Sequence, residues 1–193
     1  MEVLMICISG GHNQRNKGAT YEGFSEFPET LIWAEQIVRK LKSFKLRAHC
    51  VSENTLIQKV EEINKKSPVL AVEIHFNADP KHKGRGCETL YYPHSHKGLY
   101  LANEIQRQIS SFFPPNRGVK AGWYQMDVPG VVDYVGDIDG DESIDFFLRA
   151  THCPAVIIEP EFIHNRSVIE IGRDVGCQVI AEALRDVVIE WRI

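Results

Sequence analysis

Residues Pro68 to Ala78 read PVLAVEIHFNA. From Val69 to Ile74 five of the six residues are apolar, Glu73 being the exception, and His75 follows before the run breaks into Asn77, Asp79 and Pro80. A short and nearly continuous apolar run predicts a strand buried on both faces, as in a parallel sheet. Such a strand delivers its histidine to the carboxyl end, the edge where open α/β sheets build their sites.

Working outward, Val3 to Ser9 predicts a first strand that ends in Gly10-Gly11-His12. Asn13 to Pro28 is polar and glycine-containing, which predicts a long loop, and loops of that length inside domains are usually functional. Pro28 suits a first helical turn, and Leu31, Ala34, Ile37, Val38 and Leu41 mark one apolar helical face. A short strand is predicted over Leu46 to Val51, and a helix over Asn54 to Lys66. Beyond His75, a basic loop with Lys83 and Arg85 leads into a strand from Cys87 to Tyr92. A helix over Gly98 to Phe113 is stopped by Pro114-Pro115. From Asn116 to Asp141 no regular element is assigned. Ile144 to Ala150 predicts a short helix, Pro154 to Ile158 an apolar strand ending in Glu159, and Ser167 to Glu190 a long amphipathic helix. Strands alternating with helices make this an α/β fold, a single domain with a mainly parallel, mixed twisted sheet and helices on both faces.

The chain has 193 residues and is 44% hydrophobic, enough for one domain with a substantial core. A net charge of -4 gives no electrostatic reason to expect nucleic acid or an anionic membrane as partner. Its five cysteines are scattered without a CxxC pair, three of them in apolar runs, as expected of reduced thiols in a reducing compartment. The apolar stretch at the amino terminus has no leading basic residues and meets glycine at once, so it reads as a strand and not as a signal peptide. The expectation is a monomer made in the cytoplasm without a signal peptide.

If the first strand, the Val69 strand and the Ala155 strand are parallel neighbours, His12, His75 and Glu159 all leave the sheet at one crest, beside the loop carrying Glu22 and Glu26. Two histidines and one carboxylate form a common catalytic zinc shell, and a further carboxylate can act as general base. Each residue also has an ordinary role. A histidine after a strand can face solvent or cap a turn, and Glu159 can be a solvated strand end. Asn77 can orient a ligand or substrate, or end its strand by an Asx turn.

Four segments, SGGHN, the glutamate-bearing loop, VEIHFNA followed by GRGCETLYY, and PAVIIEPEFIHN, resemble in order and spacing the zinc-dependent N-acetylmuramoyl-L-alanine amidases, a family of bacterial cell-wall hydrolases and phage endolysins. The resemblance implies Zn²⁺ held by His12, a loop glutamate and His75, with Glu159 as catalytic base. Among Glu22, Glu26 and Glu29, Glu26 best keeps the family's spacing to the following helix. Glu29 is the runner-up, with favourable first-turn charge as its ordinary role. The lysine that often follows the ligand glutamate in this family is replaced by Phe27 and Pro28. The implied substrate is peptidoglycan, cut between N-acetylmuramic acid and L-alanine, on the cell wall after release. Arg149, shortly before the Ala155 strand, is the candidate to assist at the oxyanion.

The stretch from Trp123 to Glu142 exceeds the family's usual connection and reads as an acidic surface insert forming one wall of the cleft. Its DIDGDE lacks the order of a calcium loop. The competing readings are another zinc amidohydrolase or carboxypeptidase acting on a soluble peptide, a catalytically inactive wall-binding module, and a flavodoxin-like nucleotide binder using SGGHNQRNKG. That last glycine pattern matches neither a dinucleotide fingerprint nor a P-loop.

Overall fold

The buried apolar runs form the centre of one sheet in the computed structural model, which describes residues 4–52, 55–122 and 144–191. In chain order the elements are β1 (Met5–Gly10), β2 (Thr20–Tyr21), β3 (Phe24–Ser25), α1 (Glu26–Ser43), β4 (Arg47–Val51), α2 (Leu56–Lys66), β5 (Leu70–Ile74), β6 (Cys87–Tyr91), α3 (His96–Ile109), β7 (Asn116–Ala121), α4 (Ile144–Ala150), β8 (Ala155–Glu159) and α5 (Arg166–Glu190). The six-stranded sheet has the order β4-β1-β5-β8-β6-β7. Among the described residues its only antiparallel pairing joins β6 to β8, so the last two strands run against the first four. The fold is thus the mainly parallel α/β domain expected from the sequence.

Strand alternation assigns the two sheet faces. Leu70, Val72 and Ile74 of β5 join the larger core with Trp33, Ile37, Ile105 and Ile180, beneath α1, α3 and α5. Ala71 joins a smaller core with Val60, Ile63 and Phe147, beneath α2 and α4. Glu73 and His75 share the face of Ala71, because side chains two apart on a strand point the same way. The central strands β1, β5 and β8 lie side by side and parallel. The crest where His12, His75 and Glu159 leave the sheet is therefore continuous.

Three local differences from the expected elements bear on the site. The segment 13–28 is not wholly loop, since it folds into the hairpin β2–β3. Glu22 and Gly23 at its turn have φ of 47° and 79°, the left-handed conformations that tight hairpin turns require. Phe27 is non-helical (φ −85°, ψ 129°), so the regular part of α1 starts at Pro28 with Glu26 just outside it. Residues 116–121, given no element from sequence, form the edge strand β7, whose exposed and half-buried residues carry no apolar pattern to announce it. The helix α3 ends at Ile109, short of the expected Phe113. All five cysteines are free. The Trp123 to Glu142 insert lies outside the described residues.

Candidate metal centre

Strand β1 ends at Gly10, and His12 follows with φ of 63°, a left-handed conformation uncommon for residues other than glycine. Strand β5 delivers His75 at the neighbouring position of the crest, and the two imidazole rings stand edge to face with centroids 4.9 Å apart. Glu26, brought in by the hairpin that precedes α1, reaches both rings: His12 Nε2 lies 3.0 Å from Oε2, and His75 Nδ1 lies 3.4 Å from Oε1. Two backbone amides fix the carboxylate from opposite sides, Ala19 N–H donating to Oε2 at 2.7 Å and Phe76 N–H to Oε1 at 2.9 Å.

The donor atoms of His12, Glu26 and His75 all lie within 4.8 Å of one another. Ligands about 2.0–2.1 Å from a tetrahedral zinc are separated by about 3.4 Å, so these separations and this donor set fit the ion. Glycine makes the approach possible at two points. A Cβ on Gly11 would fall 2.3 Å from the His75 ring, and one on Gly18, 2.5 Å from Glu26 Oε2. Of the other glutamates in the window, Glu22 is exposed at the hairpin turn. Glu29 is buried but turned towards α5, where Arg173 Nε and Nη2 donate to its two oxygens at 2.6 and 3.0 Å and Trp33 Nε1 donates at 3.0 Å. Its first-turn position is therefore joined to a specific ion pair between helices.

Electrostatics follow from this packing. Burial alone would raise the Glu26 carboxyl, but hydrogen bonds and charge from His12 and His75 outweigh it and hold the group well below the usual carboxylate range. Burial likewise works against a charged His75, yet Glu26 and Glu73 push its ring up to about 10. For Glu73, the opposition of burial is overcome by Lys59 and His75, which hold it down to about 2.

On the adjacent strand the register pairs Ile74 with Ile158, so one residue further along stand His75 and Glu159. Glu159 is buried, and Asn77 Nδ2 donates to its Oε2 at 2.7 Å. The same amide nitrogen donates to Glu88 Oε1 at 2.8 Å. Glu88 is wholly buried, and Arg117 Nε and Lys120 Nζ donate to its other oxygen. Burial first, then the charge of Glu88, pushes Glu159 up to about 8. Asn77 thus orients carboxylates as well as accepting the Ala78 amide at its strand end.

Sequence reasoning missed Glu73, Lys59 and Glu88. Glu73 and Glu88 carried a legible signal, each being a charged residue inside a buried strand. Lys59 had none, since it sits among the charged residues of an amphipathic helix. Arg149 is exposed on α4. Lys83 and Arg85 are exposed on the loop after β5, which Asp79 shapes by accepting backbone amides from Lys81, Lys83 and Gly84.

The family model described as N-acetylmuramoyl-L-alanine amidase matches residues 6–188. Among solved structures, the chain is similar to Cwp6 from Clostridium difficile, at 22% identity and a TM-score of 0.78 over 97% of this chain and 30% of that one. It is similar also to the N-acetylmuramoyl-L-alanine amidase AmiC2 of Nostoc punctiforme, at 19% identity and 0.73, over 98% and 97% of the two chains. A third is the catalytic domain of the CD27L endolysin targeting Clostridia Difficile, at 21% identity and 0.72, over 97% of each chain. The chain therefore spans under a third of Cwp6 and nearly the whole of the other two, and at these identities the likeness bears on the fold. No curated protein matches the sequence.

Proposed function

Because the chain belongs to the N-acetylmuramoyl-L-alanine amidase family, we propose that it is a zinc hydrolase cutting the amide between the lactyl group of N-acetylmuramic acid and L-alanine in peptidoglycan. The observation that carries this reading is the convergence of His12, Glu26 and His75 within 4.8 Å, one strand from the buried Glu159. All of these residues come from one chain, so a monomer suffices.

His12, Glu26 and His75 would hold the zinc. When bound, the ion supplies Lewis acidity, which brings ionisation of a water towards neutrality and polarises a carbonyl. Glu159 takes the proton of the attacking water and returns it to the nitrogen of L-alanine as the C–N bond breaks, work suited to a carboxyl whose pKa lies near neutrality. Asn77 fixes Glu159 through its Oε2, leaving Oε1 for the proton. Arg149 is our candidate for assisting the oxyanion.

Purified peptidoglycan is incubated with the protein, its chelated and zinc-restored forms, and Glu159→Gln, and the new ends are read by mass spectrometry. Stem peptides with free L-alanine amino termini, lost on chelation and in the variant, are expected. An intact wall in the presence of stoichiometric zinc would refute the substrate assignment.

A further inference from the structure

Glu73, the charged residue that interrupts the apolar run of β5, is 2% exposed. It lies two residues before His75, on the same face of the strand. Its Oε2 stands 3.4 Å from His75 Nε2, while the opposite ring nitrogen, Nδ1, faces Glu26 at the same distance. The imidazole is therefore held between two carboxylates. Oε1 of Glu73 accepts from Ser9 Oγ on β1 at 3.2 Å and from Lys59 Nζ on α2 at 3.4 Å.

Lys59 is 3% exposed and reaches further than this carboxylate. Its ammonium also donates to the backbone oxygens of Gly10 and His12, the latter at 2.9 Å. Those carbonyls flank the turn in which His12 takes its left-handed conformation, which persists only where the surroundings enforce it. A charged pair buried in a core is an inefficient way to stabilise a fold, since apolar residues of similar volume usually serve as well. This pair touches both histidines of the candidate centre, His75 at its ring and His12 at its backbone carbonyl.

We propose that the buried Lys59–Glu73 pair is the positioning frame of the metal centre. Glu73 holds the Nε2–H of His75, so that Nδ1 is the nitrogen turned towards Glu26 and the metal. Lys59 locks the His12 turn through its carbonyls and balances the charge of Glu73. A carboxylate behind a ligating histidine fixes ring orientation and raises ligand basicity. The inference rests on the zinc reading given above.

The test uses the full chain with zinc as probe. Zinc affinity is measured by competition with a chromophoric chelator for the wild type, Glu73→Gln, Lys59→Met and the double variant, which removes both charges together. Urea unfolding of the zinc-free forms runs alongside. In ¹⁵N-histidine-labelled, zinc-loaded protein, the His75 Nε2-bound proton is followed by NMR. Glu73→Gln is expected to weaken zinc binding about 10- to 100-fold, and to move the far-downfield Nε2–H signal upfield. The double variant is expected to stay weak in zinc binding even where its unfolding midpoint matches the wild type. Wild-type affinity in a folded double variant would overturn the inference, as would affinity losses that only track lost folding with the Nε2–H signal unmoved. Failure of the wild type itself to hold zinc would be a different result, removing the metal reading and this inference with it.

Discussion

Glu26 and Glu159 are both buried carboxylates on one crest of one sheet, and burial acts on both in the same direction, yet their neighbours drive them apart. Glu26 lies between two imidazoles and two backbone amides, which keep it ionised far into acid. Glu159 has Glu88 beside it, and the second carboxylate adds to burial to push it up to about 8. A carboxylate held permanently ionised suits a cation, whereas one that titrates near neutrality suits proton transfer. The proposed division of labour between Glu26 as ligand and Glu159 as base rests on the company each glutamate keeps.

The largest expected effect comes from removing the ionised member. Glu26→Gln keeps the size of the side chain but takes away the charge shared by both imidazoles. Protein passed through gel filtration should then carry no zinc, and release of stem peptides should fall by about a thousandfold or more. Glu159→Gln separates the two roles, because the ligand set is left whole. Its zinc content should match the wild type, while turnover drops by about 10²- to 10⁴-fold, the usual worth of a general base. Loss of zinc from Glu159→Gln, or activity in a zinc-free Glu26→Gln, would break the comparison.

Most of the frame for this comparison was legible in the sequence, because strands buried on both faces announce themselves. The runs around Ile8 and Ile157 are apolar without interruption over their centres, the one around Val72 is broken only by Glu73, and all three became adjacent parallel strands. The positions of His12, His75 and Glu159 at one crest follow from that alone. The β2–β3 hairpin was not legible, since its two-residue strands are too short to show alternation, and with it went the route by which Glu26 reaches the imidazoles. β7 was missed for a related reason: an edge strand whose residues are exposed or half-buried has no hydrophobic period to read. Glu88 could be seen as a charge within a strand, but nothing in the sequence tells that β6 runs antiparallel to β8 and sets Glu88 opposite Glu159.

A smaller effect should appear in the pH profile. With Glu159 as the proposed base, activity requires its ionised form, so the acid limb is expected to fall as pH drops through its pKa. Glu88→Gln removes a negative neighbour and frees the charges of Arg117 and Lys120, and both changes favour ionised Glu159. The acid limb should therefore move to lower pH, read from kcat measured across the range, with zinc content unchanged. Glu88 has its own stability signature of opposite sense. Burial opposes its charge, but Lys120 and Arg117 prevail and lower its pKa. A depressed carboxyl contributes stability above its unfolded pKa and loses it as pH falls through the folded value. Urea midpoints of the wild type should thus fall more steeply in acid than those of Glu88→Gln. An acid limb that stays in place would show that Glu88 does not set the titration of Glu159.

The smallest effect on chemistry is expected at Glu29, and it tests what makes a carboxylate a ligand. Like Glu26 it is buried, acidic and at the start of α1, and it also has a cationic partner, the bidentate Arg173. It differs in direction: three residues further on, its oxygens face α5 and the Trp33 indole and meet no imidazole. Glu29→Gln should leave zinc content and turnover at wild-type values while costing about 1–3 kcal/mol of stability, as a buried charged hydrogen bond is weakened. Thermal melts and metal analysis on the same sample read both quantities. If zinc were lost from Glu29→Gln while Glu26→Gln kept it, the ligand would be the helical glutamate, and the contrast between Glu26 and Glu159 would have to be redrawn around Glu29. If stability alone falls, burial beside a cation is shown to be insufficient for a ligand, and the imidazole pair on Glu26 is what sets it apart.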